Sequence, residues 1–82
     1  MVKTLFILIL LFDGTLLHDR IDFDPPINVK DCLALGDAYR EIFSTYRVGD
    51  QQHPPVLGID YTKQGWYLND GRGTIQGHYC NS

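Results

Sequence analysis

The stretch LFILILLFDGTLL, residues 5–17, decides the fold. Asp13-Gly14 stands between two apolar runs, and this dipeptide is typical of a tight β-hairpin turn because glycine readily adopts positive φ. A two-residue loop at this point would pair Phe12 with Thr15. The sequence therefore predicts that the chain opens with a β-hairpin.

The first strand of this hairpin is apolar on both sides. One side of the predicted hairpin carries Phe6, Leu8, Leu10, Phe12, Leu17, Ile21 and Phe23. The opposite side of the first strand carries Leu5, Ile7, Ile9 and Leu11. One helix covers only one face of a sheet, and soluble proteins seldom leave a large apolar patch bare. Either the C-terminal segment or a second copy of the chain must cover Leu5, Ile7, Ile9 and Leu11, and we expect these four residues to form an oligomer interface.

A helix is predicted over residues 29–46. Pro25 and Pro26 end the second strand because neither residue has an N–H to donate. Asn28 is a favourable N-cap, and apolar residues then recur at three- and four-residue spacing. Gly36 in the helix interior either allows close approach to the sheet or is simply tolerated. The helix is expected to end near Gly49.

The C-terminal half predicts a polar loop followed by three short strands. The loop covers residues 49–55, and the strands cover residues 56–61, 65–68 and 74–79. The element order is β-β-α-β-β-β. This order predicts a single α+β domain over residues 1–82, with an antiparallel sheet and one helix packed on one face.

Length and charge exclude several classes of protein. The chain has 82 residues and a net charge of −3, too short for a multi-domain enzyme and without the broad basic surface of most nucleic-acid binders. The apolar run near the N-terminus follows Lys3 and is similar to a signal segment. It lacks a small-x-small cleavage site and is too short to span a bilayer, so we interpret it as a strand.

Cys32 and Cys80 are the two cysteines. They form either one disulfide, which would stabilise so small a domain, or two separate thiols. Zinc binding is disfavoured because His78 is the single neighbouring ligand at suitable spacing, and no metal or cofactor is expected. Retention of Met1 favours the cytoplasm of a host cell, whereas a disulfide would favour export.

The segment 18–24 concentrates charge, with His18, Asp19, Arg20, Asp22 and Asp24. Such a set could transfer a proton or hold a metal ion. The interpretation we prefer is the solvated half of an edge strand, whose charges discourage aggregation.

A second candidate site comprises Trp66, Tyr67, Arg72 and His78. Aromatic rings with an arginine can stack on a flat ligand, form a protein interface or complete the core. These four residues are therefore the candidate ligand pocket.

Two resemblances bear on function. Residues 11–17 resemble the first motif of haloacid-dehalogenase-type phosphatases, but Leu11 occupies the position of the nucleophilic aspartate, which removes the covalent step. The early lysine, the cysteine near the start of the helix, Trp66-Tyr67 and the GHYC ending at Cys80 resemble short uncharacterised open reading frames of marine phages. This resemblance implies a viral or environmental source and no particular chemistry.

Together these patterns predict a small non-catalytic protein that acts by self-association, as a homo-oligomer, or by binding another protein. The alternative is a module that sequesters a small ligand between aromatic side chains and an arginine.

Overall fold

In the computed structural model, which describes residues 1–48 and 64–82, the opening hairpin consists of β1 (Val2–Leu11) and β2 (Leu16–Ile27). Its loop has three residues, because Leu11 N donates to Thr15 O at 2.9 Å. Gly14 has a φ of +92°, and the Asp13 carboxylate accepts a hydrogen bond from Thr15 N at 2.8 Å. This geometry is typical of a type I turn followed by a residue with left-handed backbone. The hairpin is confirmed, but the two-residue loop is wrong. The strand end predicted at Pro25 and Pro26 is also wrong, because β2 continues through both residues to Ile27.

The extra loop residue shifts the hairpin register by one. Leu10 lies opposite Leu16 and Leu8 lies opposite His18. Since alternate side chains point to opposite faces, this shift moves the apolar side of β2 to the other face of β1. One face of the hairpin now carries Leu5, Ile7, Ile9, Leu17, Ile21 and Phe23 together.

The helix α1 (Val29–Phe43) begins as predicted and ends earlier. Asn28 Oδ1 accepts from Asp31 N at 2.8 Å, which confirms the N-cap. Ser44 adopts extended backbone, and its hydroxyl donates to the carbonyl of Arg40. The prediction that the helix continues to residue 46 and ends near Gly49 is therefore wrong.

Three more strands complete the sheet: β3 (Ser44–Arg47), β4 (Gly65–Leu68) and β5 (Gly73–Asn81). The strand order is β2-β1-β5-β4-β3, and every pairing is antiparallel. The predicted bounds of β4 are confirmed. The loop and strand predicted for residues 49–61 lie outside the described residues. The α+β class and the β-β-α-β-β-β order agree with the prediction.

The helix packs on β1 and β5, and the core lies between them. Leu5, Ile7 and Ile9 are 0%, 1% and 0% exposed, and Leu11 packs against the same cluster. Because α1 covers this face within one chain, the oligomer interface predicted for these four residues is wrong.

The closest approach of helix and sheet is at Gly36. A Cβ at this position would lie 2.1 Å from Cδ2 of His78 on β5. Of the two roles open to Gly36, the structure therefore supports close approach.

A disulfide joins Cys32 of α1 to Cys80 of β5, across a sequence separation of 48 residues. Closing a loop of this length removes unfolded-state entropy equivalent to about 4 kcal/mol in the chain-entropy model. The disulfide thus fixes the helix to the sheet beside the buried cluster.

Within residues 1–48 and 64–82, the helix is too short to traverse a lipid bilayer.

Candidate interaction surface

The sheet has one face beneath α1 and one face turned away from it. The disulfide places Cys80, and with it Leu5 on the paired strand, on the helix side. Alternation along the strands then places the neighbouring side chains on the other side. We call this second side the open face. It comprises Phe6, Leu8, Leu10, Leu16, His18, Arg20, Asp22, Tyr67, Thr74 and Tyr79.

The centre of the open face is apolar and partly exposed to water. Leu10, Leu16 and Tyr79 are 38%, 52% and 39% exposed. The rings of Phe6 and Tyr79 stack with their centroids 4.8 Å apart. In the part of the chain that the structure describes, no helix or strand covers this face. Its three long strands therefore present an apolar surface, whereas Tyr67 of β4, on the same side of the sheet, is only 4% exposed.

A groove of about 590 Å³ continues this apolar surface toward β4. Leu10, Phe12, Tyr67 and Thr74 contribute to its lining, together with Gln64. The rings of Phe12 and Tyr67 stack with centroids 6.2 Å apart. The groove is concave and mainly apolar, as ligand sites and protein-binding surfaces commonly are.

A charged border follows β2 along one side of the open face. Arg20 and Asp22 form an ion pair at 3.0 Å, and the Thr4 hydroxyl donates to the Asp22 carboxylate at 3.0 Å. These hydrogen bonds, the one from Arg20 first, lower the pKa of Asp22 below its usual value. The border is therefore a pair of solvated, matched charges.

The charged segment does not assemble as a catalytic or metal site. His18 is exposed on the open face, whereas Asp19 lies on the helix side and pairs with Arg72 at 3.7 Å. Among the described residues, no group of three histidine, cysteine or acidic side chains could hold a metal ion. The geometry favours the solvated edge strand.

The predicted aromatic and arginine pocket is divided between the two faces. Trp66 lies on the helix side, where the Arg40 guanidinium is 4.7 Å from the centre of its ring. Tyr67 lies on the open face, opposite Thr74. His78 lies beneath the helix at Gly36, with its Nε2 3.8 Å from Asp37 Oδ1.

Arg72, the fourth predicted pocket residue, belongs to the turn between β4 and β5. Its Nε donates to Asp70 Oδ2 at 2.6 Å, and this hydrogen bond raises the pKa of Arg72. The backbone N–H of Arg72 donates to Asp70 Oδ1 at 3.1 Å, and this bond, followed by the one from Nε, lowers the pKa of Asp70. Burial raises the pKa of the nearby Tyr39, with a smaller contribution from the charge of Asp19. Trp66 and Tyr67 both contribute to the lining of the groove of about 590 Å³, but Arg72 and His78 do not, so the four residues do not converge on one ligand.

Sequence reasoning missed the open face because the hairpin register decides which side of β1 the helix covers. The alternation of Phe6, Leu8 and Leu10 was visible, but a three-residue loop assigns these residues to the side without the helix. No family model, curated protein or solved structure matches this chain, so its function is inferred from these surfaces.

Proposed function

We propose that this protein acts by associating with other protein molecules and not by catalysis, and that the open face is the surface it uses. The observation that carries this proposal is the partial exposure of Leu10, Leu16 and Tyr79 on a sheet whose helix α1 packs on the other side. Burying such side chains against a partner removes apolar surface from water, which favours association. The resemblance to marine phage reading frames adds a host or viral protein as the proposed partner besides a second copy.

The dimensions of the open face suit a weak or moderate interface. Strands of 9, 10 and 12 residues with two short strands give a sheet surface of roughly 600 Å², from the usual rise per residue and strand spacing. Two such faces together would bury about 1,200 Å², the lower end of specific interfaces. Two sheets packed in this way would form a sandwich.

The test is the molar mass of the wild type and of an open-face variant, measured by light scattering after size-exclusion chromatography at micromolar concentration. Leu10 and Leu16 lie opposite each other. Replacing them as Leu10→Glu/Leu16→Lys removes apolar surface while keeping a cross-strand attraction within the monomer. We expect a wild-type mass above that of one chain and a lower mass for the variant.

Leu33→Glu is the matched control, because Leu33 is equally exposed but lies on the helix. This substitution should leave the mass unchanged. A wild type that is strictly monomeric at these concentrations would overturn self-association. A control that dissociates as strongly as the double variant would remove the assignment to the open face.

The groove beside Tyr67 favours a second candidate function, the binding of a small apolar or aromatic ligand. Its volume falls in the range of ligand sites. A thermal-shift screen tests this candidate, since a ligand that binds the folded state raises the melting temperature. Stabilisation that is lost in Phe12→Ala supports it, and no stabilising compound at high concentration contradicts it.

A further inference from the structure

The outer edge of β2 is open to a further strand in the described part of the chain, where β2 pairs only with β1. The hydrogen bond from Leu11 N to Thr15 O identifies the β2 residues that bond toward β1, since hydrogen-bonded pairs alternate along an antiparallel ladder. Asp19 and Ile21 point their N–H and C=O groups inward. His18, Arg20 and Asp22 point theirs outward, where they can pair with another chain.

The charges along this edge are self-complementary in one register. When two identical strands pair antiparallel, a residue on the two-fold axis faces its own copy, and residues equally distant from the axis face each other. An axis at Asp19, Arg20 or Asp22 would place identical charges opposite each other. An axis at Ile21 places Arg20 of each copy opposite Asp22 of the other.

We propose that two copies of this chain pair through the outer edges of β2, antiparallel and with the two-fold axis at Ile21. This inference rests on the proposed function and names a second copy as one partner. Arg20 and Asp22 would exchange backbone hydrogen bonds across the axis in addition to their charges. Ile21, which is 39% exposed, would meet its own copy at a position where paired side chains lie closest.

The Arg20 and Asp22 side chains of one chain are placed so that each can pair with its partner on a second copy. Arg20 and Asp22 already lie on the same face and form an ion pair at 3.0 Å, with both side chains more than half exposed. Turning the guanidinium from its own Asp22 to that of the second copy keeps one cation beside one carboxylate. The pairing therefore leaves neither charge without a partner.

Two features stop the pairing from continuing along the strand. The ladder between β1 and β2 shifts register between Val2 and Thr4, opposite the end of β2. Pro25 and Pro26 lie in the same region and have no N–H to donate. Pairing is thus confined to a short segment about the axis, which closes a dimer and gives no open fibre.

The symmetry joins the two sheets with a defined orientation. Because opposed residues in an antiparallel pair share a face, the two-fold axis is perpendicular to the sheet. Both helices then lie on one side, and both open faces lie on the other as one continuous surface. Edge pairing and use of the open face are therefore compatible.

Cysteine cross-linking tests the register directly. In Ile21→Cys the two Cα atoms would be about 4.5 Å apart across the axis, within the range that a disulfide requires. The control is Asp19→Cys, on the same face, whose copies would lie more than about 13 Å apart along the strands. We expect a covalent dimer for Ile21→Cys under mild oxidation and none for Asp19→Cys, by intact mass.

The same experiment in the Leu10→Glu/Leu16→Lys background separates this inference from the proposed function. A cross-link at Ile21 that persists there supports edge pairing independently of the open face. If the Leu10→Glu/Leu16→Lys substitutions abolish association, and Ile21→Cys forms no cross-link in either this background or the wild type, edge pairing is overturned. The proposed function is then left standing. A monomer in every case overturns both edge pairing and self-association through the open face.

Charge reversal provides a second, independent readout. Arg20→Asp and Asp22→Arg each place like charges across the axis and should weaken dimerisation by roughly tenfold or more. An equimolar mixture of these two variants sets carboxylates opposite guanidinium groups and should form a heterodimer. A mixture of Arg20→Asp with the wild type should form less heterodimer, because one of its two cross-strand pairs places two carboxylates opposite each other. A mixture that stays monomeric while the wild type dimerises would overturn the register.

Discussion

Gly36 is the residue at which the absence of a side chain matters most for packing. It lies in the buried stripe of α1, directly over the ring of His78 on β5. Glycine in a helix interior usually lowers stability, by about 1 kcal/mol relative to alanine. In this helix the missing side chain allows α1 to approach β5 closely, which offsets that loss of stability.

Gly36→Ala should therefore lower the free energy of unfolding, by about 1–3 kcal/mol, because the added Cβ would overlap the His78 ring. Urea unfolding followed by circular dichroism measures the change. Gly77→Ala is the matched control, since a Cβ there has open space, and it should be near neutral.

The double variant Gly36→Ala/His78→Ala tests whether overlap with the His78 ring causes the loss of stability. If the steric explanation holds, removing the ring recovers part of the lost stability. A single variant at Gly36 that is as stable as the wild type would show that the helix can move away from β5 at little cost.

Two hairpin loops of the sheet are built in the same way. In each, a glycine with positive φ donates its N–H to a leucine carbonyl three residues earlier, Gly14 to Leu11 and Gly71 to Leu68. In each, the preceding aspartate accepts a backbone hydrogen bond from two residues ahead. The common pattern Leu-x-Asp-Gly thus specifies both loops through local hydrogen bonds.

These loop aspartates predict how stability depends on pH. Backbone hydrogen bonds, from Thr15 to Asp13 and from Arg72 to Asp70, lower both pKa values below the ordinary 3.8. A lowered folded-state pKa contributes stability above the unfolded pKa, and that contribution is lost as the pH falls through the folded-state value.

We therefore expect the free energy of unfolding to fall as the pH decreases from about 5 through the aspartate range. Asp13→Asn/Asp70→Asn should make this decrease shallower, because asparagine still accepts the hydrogen bonds but does not titrate. Urea unfolding at successive pH values measures how the free energy of unfolding depends on pH. Glu41→Gln, on the exposed side of the helix, is the control. An unchanged slope in the double variant would contradict the assignment.

At the level of elements, local sequence signals predicted that the hairpin and the helix are present better than they predicted the loop length and the end of the helix. Asp13-Gly14 predicted a hairpin, and Asn28 predicted where the helix begins, because both act through neighbouring backbone groups. Loop length and the end of the helix depend on distant partners. Ser44 leaves the helix where its strand pairs with Leu68, and no local pattern in the sequence indicates that pairing.

For the candidate surface, the sequence indicated an apolar strand with two hydrophobic faces but not which of these faces the helix covers. The helix α1 packs on the face that carries Leu5, Ile7 and Ile9. Which face remains open depends on one residue of hairpin register, and this reversed the assignment of Leu5 and Phe6. The four residues of the predicted pocket diverge because adjacent residues on a strand point to opposite faces.

The disulfide is a covalent constraint on the whole molecule. It links Cys32, which is fully buried, to the central part of the sheet through β5. A domain of this size buries only about 60% of the surface of its unfolded chain, so its hydrophobic core gives a limited stability.

Cys32→Ser/Cys80→Ser should lower the free energy of unfolding by about 2–4 kcal/mol. In a domain of this size, each kcal/mol corresponds to a decrease of roughly 4–8 °C in melting temperature. Differential scanning calorimetry measures the change. A reductant should destabilise the wild type to a similar extent and leave the double variant unaffected. Equal melting temperatures with and without reductant would contradict a stabilising bridge.

The adjacency of β1 and β5 sets the order in which this protein can be completed during synthesis. β1 and β2 emerge from the ribosome before β5 and can form their hairpin at once. β1 then waits for β5, the last described strand, before its second edge is paired and the bridge to the helix can close. Throughout that interval the nascent chain exposes an apolar strand with one unpaired edge, so aggregation competes with folding at this stage.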